Sequence, residues 1–191
     1  AFAAQRLQAR GLPPPLAVPV SVADPAPPPV PTDAGERTWL LRQVLRVGDV
    51  DHALALLSAG ADVLAPAWPD EPDQRSALIV AAGMNDSRPL RAMLAAGIDV
   101  NHPAQGMTPL LAATRASYYG RPETVLALVA NGADPMARCP EGRTPLHHAA
   151  LSVDPAVAAT LLDAGAALDA IDGEGHTPLS LACSVGNAAV V

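Results

Sequence analysis

Large rings are almost missing from this chain. Aromatic residues make up 3% of its 191 positions, as Phe2, Trp39, Trp68, Tyr118 and Tyr119, so whatever is buried must be packed from aliphatic side chains. Lysine is absent. All 12 basic residues are arginines, set against 19 acids, and a net charge of −7 offers no basic face for a phosphate backbone, which excludes nucleic acid as a partner. Cysteine occurs twice, as Cys139 and Cys183. Two thiols without C-x-x-C spacing make neither a disulfide framework nor a metal site. No apolar run approaches the ~18 residues of a membrane span, so this segment is not expected to insert into a bilayer. G-x-S-x-G, a phosphate-binding loop and G-x-G-x-x-G are missing as well. No cofactor, metal or catalytic constellation is implied.

What is abundant is alanine, with 40 residues, and proline, with 21. Hydrophobic residues reach 50%, too many for a chain disordered throughout. Arginine used without lysine, beside so much alanine and proline, is the composition of a GC-rich, bacterial type of coding sequence. Nine of the 21 residues from Gly11 to Pro31 are proline. Proline fixes φ and supplies no N–H, so residues 1–36 are assigned to an extended Pro/Ala-rich linker or tail. Pro28 and Pro31 also fit a P-x-x-P ligand, although a spacer is the simpler reading. AFAAQRLQAR reads as the end of a helix belonging to something upstream, and a start at Ala1 rather than Met leads us to expect such a part. The AFAA start also resembles the scar of a small-residue signal cleavage.

The remainder repeats. LLSAGAD (56–62), MLAAGID (93–99), LVANGAD (128–134) and LLDAGAA (161–167) place glycines at Gly60, Gly97, Gly132 and Gly165, 37, 35 and 33 residues apart. A second phrase interleaves with the first: SALIVAA (76–82), TPLLAAT (108–114), TPLHHAA (144–150) and TPLSLAC (177–183), spaced 32, 36 and 33. Thr144 or Thr177 can cap a helix, with Pro145 or Pro178 preorganised for its first position. Leu146, Ala149 and Ala150 give that helix a small face. Asp49, Asp86, Asp154 and Asn187 mark the start of a second helix, with Arg121 as the exception, and leucine pairs such as Leu56/Leu57 and Leu161/Leu162 pack it between layers. The glycine then ends it in the left-handed conformation. About ten residues follow as a projecting turn. Apolar faces left by each unit can be covered only by a neighbouring unit.

TPLHHAA and LLDAGA, with this period, resemble the ankyrin repeat. The resemblance covers about residues 37–191 and weakens only in the first unit, where Trp39 and Leu41 stand in the register of Thr and Leu. It implies an all-α solenoid of stacked helix pairs with projecting finger loops, in units of about 37–72, 73–104, 105–140, 141–173 and a partial 174–191. It also implies a protein–protein interaction module: another protein bound on the concave face, no catalysis, and a monomer. The alternative is that the module serves as the sensory or targeting arm of a larger membrane-anchored protein or enzyme. Cytoplasm is the favoured compartment, with the periplasm and a membrane tether left open. The last unit stops inside its second helix, on AAVV rather than on a polar cap, so a longer polypeptide is expected.

Departures from the period locate candidate contacts. Gly60 to Ser76 is 16 residues where 12 is usual, and Thr108 to Gly132 is 24 where 21 is usual. Those insertions carry Trp68, Tyr118 and Tyr119. In the family, finger tips and first helices line the concave face, so the resemblance places these rings on or near the groove as interface anchors; folding back over their own loops is the other reading. Arg75, Met107, Arg143 and His176, each just before its Thr or Ser, are expected on the same face. Arg115 and Leu151, seven residues after, should join them, as should Ser184. His147 fits the family's structural histidine, which bonds neighbouring loops, while His148 is unusual for its register and is placed in the groove. Adjacent on a helix, the two cannot chelate one metal. Asp70, Glu71 and Asp73, and Asp169, Asp172 and Glu174, read as solvated finger rims, and Asp172-Gly-Glu174-Gly is too short for a calcium loop. Cys183 is expected to be buried and Cys139 exposed.

Overall fold

Helices of five to nine residues are marginal alone in water, and all but one of the helices here are of that size. The computed structural model describes residues 30–66, 73–115 and 121–188. The proline-rich arm at 1–29, Trp68 with Asp70 and Glu71, and Tyr118 with Tyr119 lie outside the described residues. Within them the chain forms nine helices: α1 Ala34–Val47, α2 Val50–Ser58, α3 Ala77–Ala82, α4 Arg88–Ala95, α5 Pro109–Arg115, α6 Pro122–Ala130, α7 Pro145–Ala149, α8 Pro155–Asp163 and α9 Pro178–Ser184. They alternate as first and second helices of successive pairs. The first helices α1, α3, α5, α7 and α9 pack in series, each on the next, and α2 packs on α4 and α6 on α8 behind them.

The core is aliphatic, as the scarcity of rings requires. Every residue of α3 is buried, and Leu110, Leu111 and Ala113 of α5 and Leu146 and Ala149 of α7 continue the layer. Alanine at these positions lets neighbouring backbones lie close. The second helices add Leu56, Leu90, Met93, Leu128 and Leu161. The leucine pairs split rather than act together: Leu161 is buried and Leu162 exposed, because consecutive helical residues point about 100° apart.

Hydroxyl caps open the first helices. Ser76, Thr108 and Thr177 accept from Ile79, Leu111 and Ser180 N–H at 3.4, 3.3 and 3.2 Å. The first unit has Trp39-Leu40 where the last three have Thr-Pro and the second has Ser-Ala, so neither a capping hydroxyl nor a proline marks a helix start there. The helix runs back to Asp33, whose carboxylate accepts from Glu36 N–H at 2.9 Å, ahead of the boundary expected at residue 37. Asp49 and Asp154 bond N–H groups of His52 and Ala156, as the sequence predicts. Asn187 behaves differently: its amide donates to the carbonyls of Ala150 at 3.0 Å and Ser152 at 2.6 Å, tying the last unit to the one before it.

Gly60, Gly97, Gly132 and Gly165 take φ of 81°, 79°, 85° and 92°, the left-handed turn out of each second helix. Successive fingers then join side by side. Asn101 clamps the second finger to the third, accepting from Asp134 N–H at 2.8 Å and donating to the Gly132 carbonyl at 2.9 Å. Gly173 N–H donates to the Glu141 carbonyl at 3.0 Å. That approach leaves no room for a side chain, since a Cβ on Gly142 would stand 2.8 Å from Gly173 N. Gly142 also has φ of 75°. Gly97→Ala, at positive φ in open space, should therefore cost about 1 kcal/mol in urea unfolding, and Gly142→Ala about twice that or more. Equal costs would mean that the finger contact does not restrict the fold.

Candidate functional site

His147 sets the frame on which the finger-side surface is built. Its Nδ1 accepts from Thr144 N–H at 3.1 Å and pairs with the Thr144 hydroxyl at 2.8 Å, while Nε2 lies 3.1 Å from the His176 carbonyl of the next unit. The acceptor role at Nδ1 requires the Nε2–H tautomer, so the ring donates across the unit boundary. Burial pushes its pKa down, keeping it neutral as this bridge needs.

Asp172 organises the fourth finger. Its Oδ1 accepts from the N–H groups of Glu174 and His176, both at 2.9 Å, and its Oδ2 from Arg143 Nε at 3.2 Å. Chiefly through the His176 N–H, the carboxyl is held down at about 2. Asp172, Glu174 and His176 bring three possible ligand atoms within 4.8 Å of one another. The Asp172 lone pairs are already committed to the turn and to an arginine, so this trio reads as the scaffold of the finger. Sequence spacing linked the acids to a failed calcium motif and did not include His176.

Three of the expected site residues pair with acids of this finger and the one before it. Arg143 reaches Asp172 and lies 3.6 Å from Glu174 Oε2, and His176 Nδ1 is 3.4 Å from the same carboxylate. Arg115, at the end of α5, lies 3.6 Å from Glu141 Oε1. His148 is buried, at 8% exposure, and its Nε2 has no hydrogen-bond partner. Its pKa falls to about 4, first through burial and then through the charges of Arg115 and Arg143. Between the third and fourth fingers a cleft of about 530 Å³ is lined by Pro140, Glu141, Gly142, Arg143, Gly173 and Glu174.

Other expected residues stand apart from that cluster. Arg75 is exposed but held by Asp73, with Nε to Oδ1 at 2.9 Å and Nη2 to Oδ2 at 2.7 Å; this bond is the main reason Asp73 drops to about 2. Met107 leans partly into the core, Leu151 is half-buried and Ser184 exposed. Trp68, Tyr118 and Tyr119 lie outside the described residues.

Both cysteine expectations are reversed. Cys139 is buried, and burial followed by the thiol's hydrogen bond to Glu141 pushes its pKa up. Its register explains this, because Cys139 lies seven residues after Gly132 as Asp172 lies seven after Gly165, both inside a finger turn. Cys183 is exposed because it occupies the Ala150 position of the final described first helix, a face that Ala150 buries against the next unit. Two further residues escaped the sequence reading. Glu141 carries no motif and matters only through its place between Arg115 and Cys139. Arg42 sits 1% exposed beneath the first finger, donating to the Ala65 and Pro66 carbonyls; nothing in its heptapeptide marks it as buried.

The histidines make stability pH-dependent in a window of their own. A folded-state pKa below the unfolded value means that the unfolded chain takes up the proton first as pH falls. Stability from neutral His148 is thus full above about 6.5 and is lost as pH drops toward about 4, by about 3 kcal/mol; the Asp73 and Asp172 contributions fade only below that range. His148→Leu should flatten the urea-unfolding stability between pH 6.5 and 4. A variant that loses as much stability across that interval as the parent would contradict the burial of a neutral imidazole.

The chain matches the family described as ankyrin repeats (3 copies) over residues 40–139 and 114–191. Among curated proteins it is 31% identical to Inversin of Canis lupus familiaris, over 81% of this chain and 18% of that protein. It is 42% identical to Protein PhlB of Serratia liquefaciens, over 62% of this chain and 50% of that one. It is also 41% identical to the Inactive serine/threonine-protein kinase TEX14 of Bos taurus, over 37% of this chain and 5% of the relative. The chain thus spans half or less of the length of each of these relatives. Ankyrin repeats are generally protein–protein interaction modules, and the family is typically non-catalytic. No described helix is long and apolar enough to cross a membrane. With the family matched along most of its length, this chain belongs to the ankyrin repeat family.

Proposed function

We propose that this chain is a monomeric protein-binding module that receives its partner on the concave face formed by fingers and first helices, without catalysis of its own. The observation that supports this reading is the finger-side network: Arg115, Arg143 and His176, drawn from three successive units, are paired there with Glu141, Asp172 and Glu174. Polar groups gathered from separate units give a surface whose shape depends on the whole stack. Tyr118, Tyr119 and Trp68 supply the aromatic anchors in this proposal, and Arg75, Met107 and Leu151 extend the contact along the stack. The later unit boundaries read from the sequence remain part of the proposal, with the Pro-rich residues ahead of α1 as the tether.

A second reading is supported by the short share of each relative that the chain spans: the module serves as the targeting arm of a larger protein. It changes what the bound partner brings together, not how it is bound. Capture of a partner by the whole chain, compared between variants, tests the face. Tyr118→Ala with Tyr119→Ala should weaken retention at least about tenfold, a loss of 1.4 kcal/mol or more typical of interface anchors. Asp163→Ala, on the exposed side of α8, should leave retention unchanged. Equal effects of the two, or none from the tyrosines, would exclude the concave face.

A further inference from the structure

One register of the first helices, three residues after the Trp, Ser or Thr position, reads Arg42, Ile79, Leu111, His147 and Ser180 in successive units. Arg42 keeps its charge at any ordinary pH, Ile79 and Leu111 are buried and apolar, and Ser180 is exposed. His147 alone in this register changes charge in the mildly acidic range. Its ring is fully buried and both nitrogens are committed. Nδ1 accepts from the Thr144 N–H at 3.1 Å, and Nε2 reaches the His176 carbonyl at 3.1 Å across the unit boundary. The neutral Nε2–H ring serves both. In the imidazolium both nitrogens donate; the Thr144 hydroxyl can turn to accept, but the Thr144 N–H then faces a second donor, and the charge is held away from water.

The last boundary is what separates this ring from solvent. The fourth finger crosses it through the His176 carbonyl, and α9 packs on α7. Beyond α9 nothing further is stacked, and Leu179 is 52% exposed. Uncovering His147 therefore breaks one boundary, whereas uncovering α3 or α5 breaks two. The charges acting on the ring are Asp172 of the fourth finger and Arg138 and Arg143 of the third. His148 follows it on α7; of the helices packed on α7, α5 brings Arg115, α8 Asp163 and α9 no charge. Asp172 is already committed to two backbone N–H groups and Arg143, so it does not pair with an imidazolium. His176 is half-exposed beside Asp172 and Glu174 and can take up a proton in place.

We propose that His147 makes the boundary between the fourth and fifth units acid-labile: a proton taken from solvent at Nδ1 lifts the fourth finger and α9 off α7, while the earlier units stay stacked. Burial holds the pKa of the closed ring down, so the open form takes the proton first; closure is full above about 6.5 and weakens as pH falls below it. Opening withdraws Asp172 and His176 from the concave face, and only that consequence depends on the concave-face reading.

The test is residue-resolved hydrogen exchange of the whole chain at pH 7 and pH 5, corrected for intrinsic exchange. Protection of the Gly173 and Leu181 N–H groups should fall about tenfold, on the slope of one proton, and stay below that of α3. His147→Asn keeps an acceptor oxygen and does not titrate, so the fall should vanish; His148→Leu should retain it. Equal protection in α3 and α9 at pH 5 means that the stack unfolds as a whole and overturns the switch, as does a fall that persists in His147→Asn. Should His147→Asn not fold, a ¹⁵N titration of the unaltered chain decides. Protonation of His147 should track the loss of Gly173 N–H protection, and a ring that takes up its proton with that N–H still protected overturns the switch. A switch that operates while partner retention is the same at pH 5 and pH 7 stands, and removes the last two units from the concave face.

Discussion

Everything in this molecule depends on the fact that a two-helix layer has two apolar faces and can cover neither by itself. Five to nine residues of helix form too few internal bonds to offset the entropy of ordering them. Leu78, Leu110 and Leu146 are buried because the first helix of one unit lies on that of the next. Alanine suits this geometry, since it keeps the layers thin. Large rings would thicken them, and Trp39, the one Phe, Trp or Tyr among the described residues, sits at the start of the stack.

Stacking then fixes the fingers. Once first helices pack in series, the turns between units are drawn alongside one another, and polar groups bridge them: Asn101 to the next unit, His147 to the His176 carbonyl, Gly173 to Glu141. These bridges close hydrogen bonds that loops would otherwise give to water. They also hold Arg115 near Glu141 and Arg143 against Asp172. A surface assembled in this way carries the chemistry of three units at once, although no one unit holds a recognisable site.

The fold was readable from the sequence because its signals are local and repeated. Thr144-Pro145 opens a helix and Gly165 closes one for reasons contained in those residues, and the same reasons recur at each period. What escaped depends on neighbours about thirty residues away. Cys183 resembles Ala150 in register yet is exposed, because burial there comes from a following layer rather than from the helix itself. Cys139 reads as exposed from the sequence and is buried, because it lies inside the finger turn. Glu141 and Arg42 carry no motif at all. His148 could be singled out as odd for its register, but the burial that leaves its Nε2 unpartnered is a property of the assembled stack. The aromatic insertions were located by broken periodicity alone.

Native-state hydrogen exchange, resolved residue by residue, tests most directly whether neighbours rather than intrinsic propensity hold each unit. Helices α7 and α9 share the opening phrase Thr-Pro-Leu, but Leu146 is 3% exposed and its counterpart Leu179 is 52%. The account predicts slow exchange in α3, α5 and α7, requiring unfolding of much of the stack, and fast exchange in α9 by local opening. Protection in α9 equal to that in α7 would contradict it.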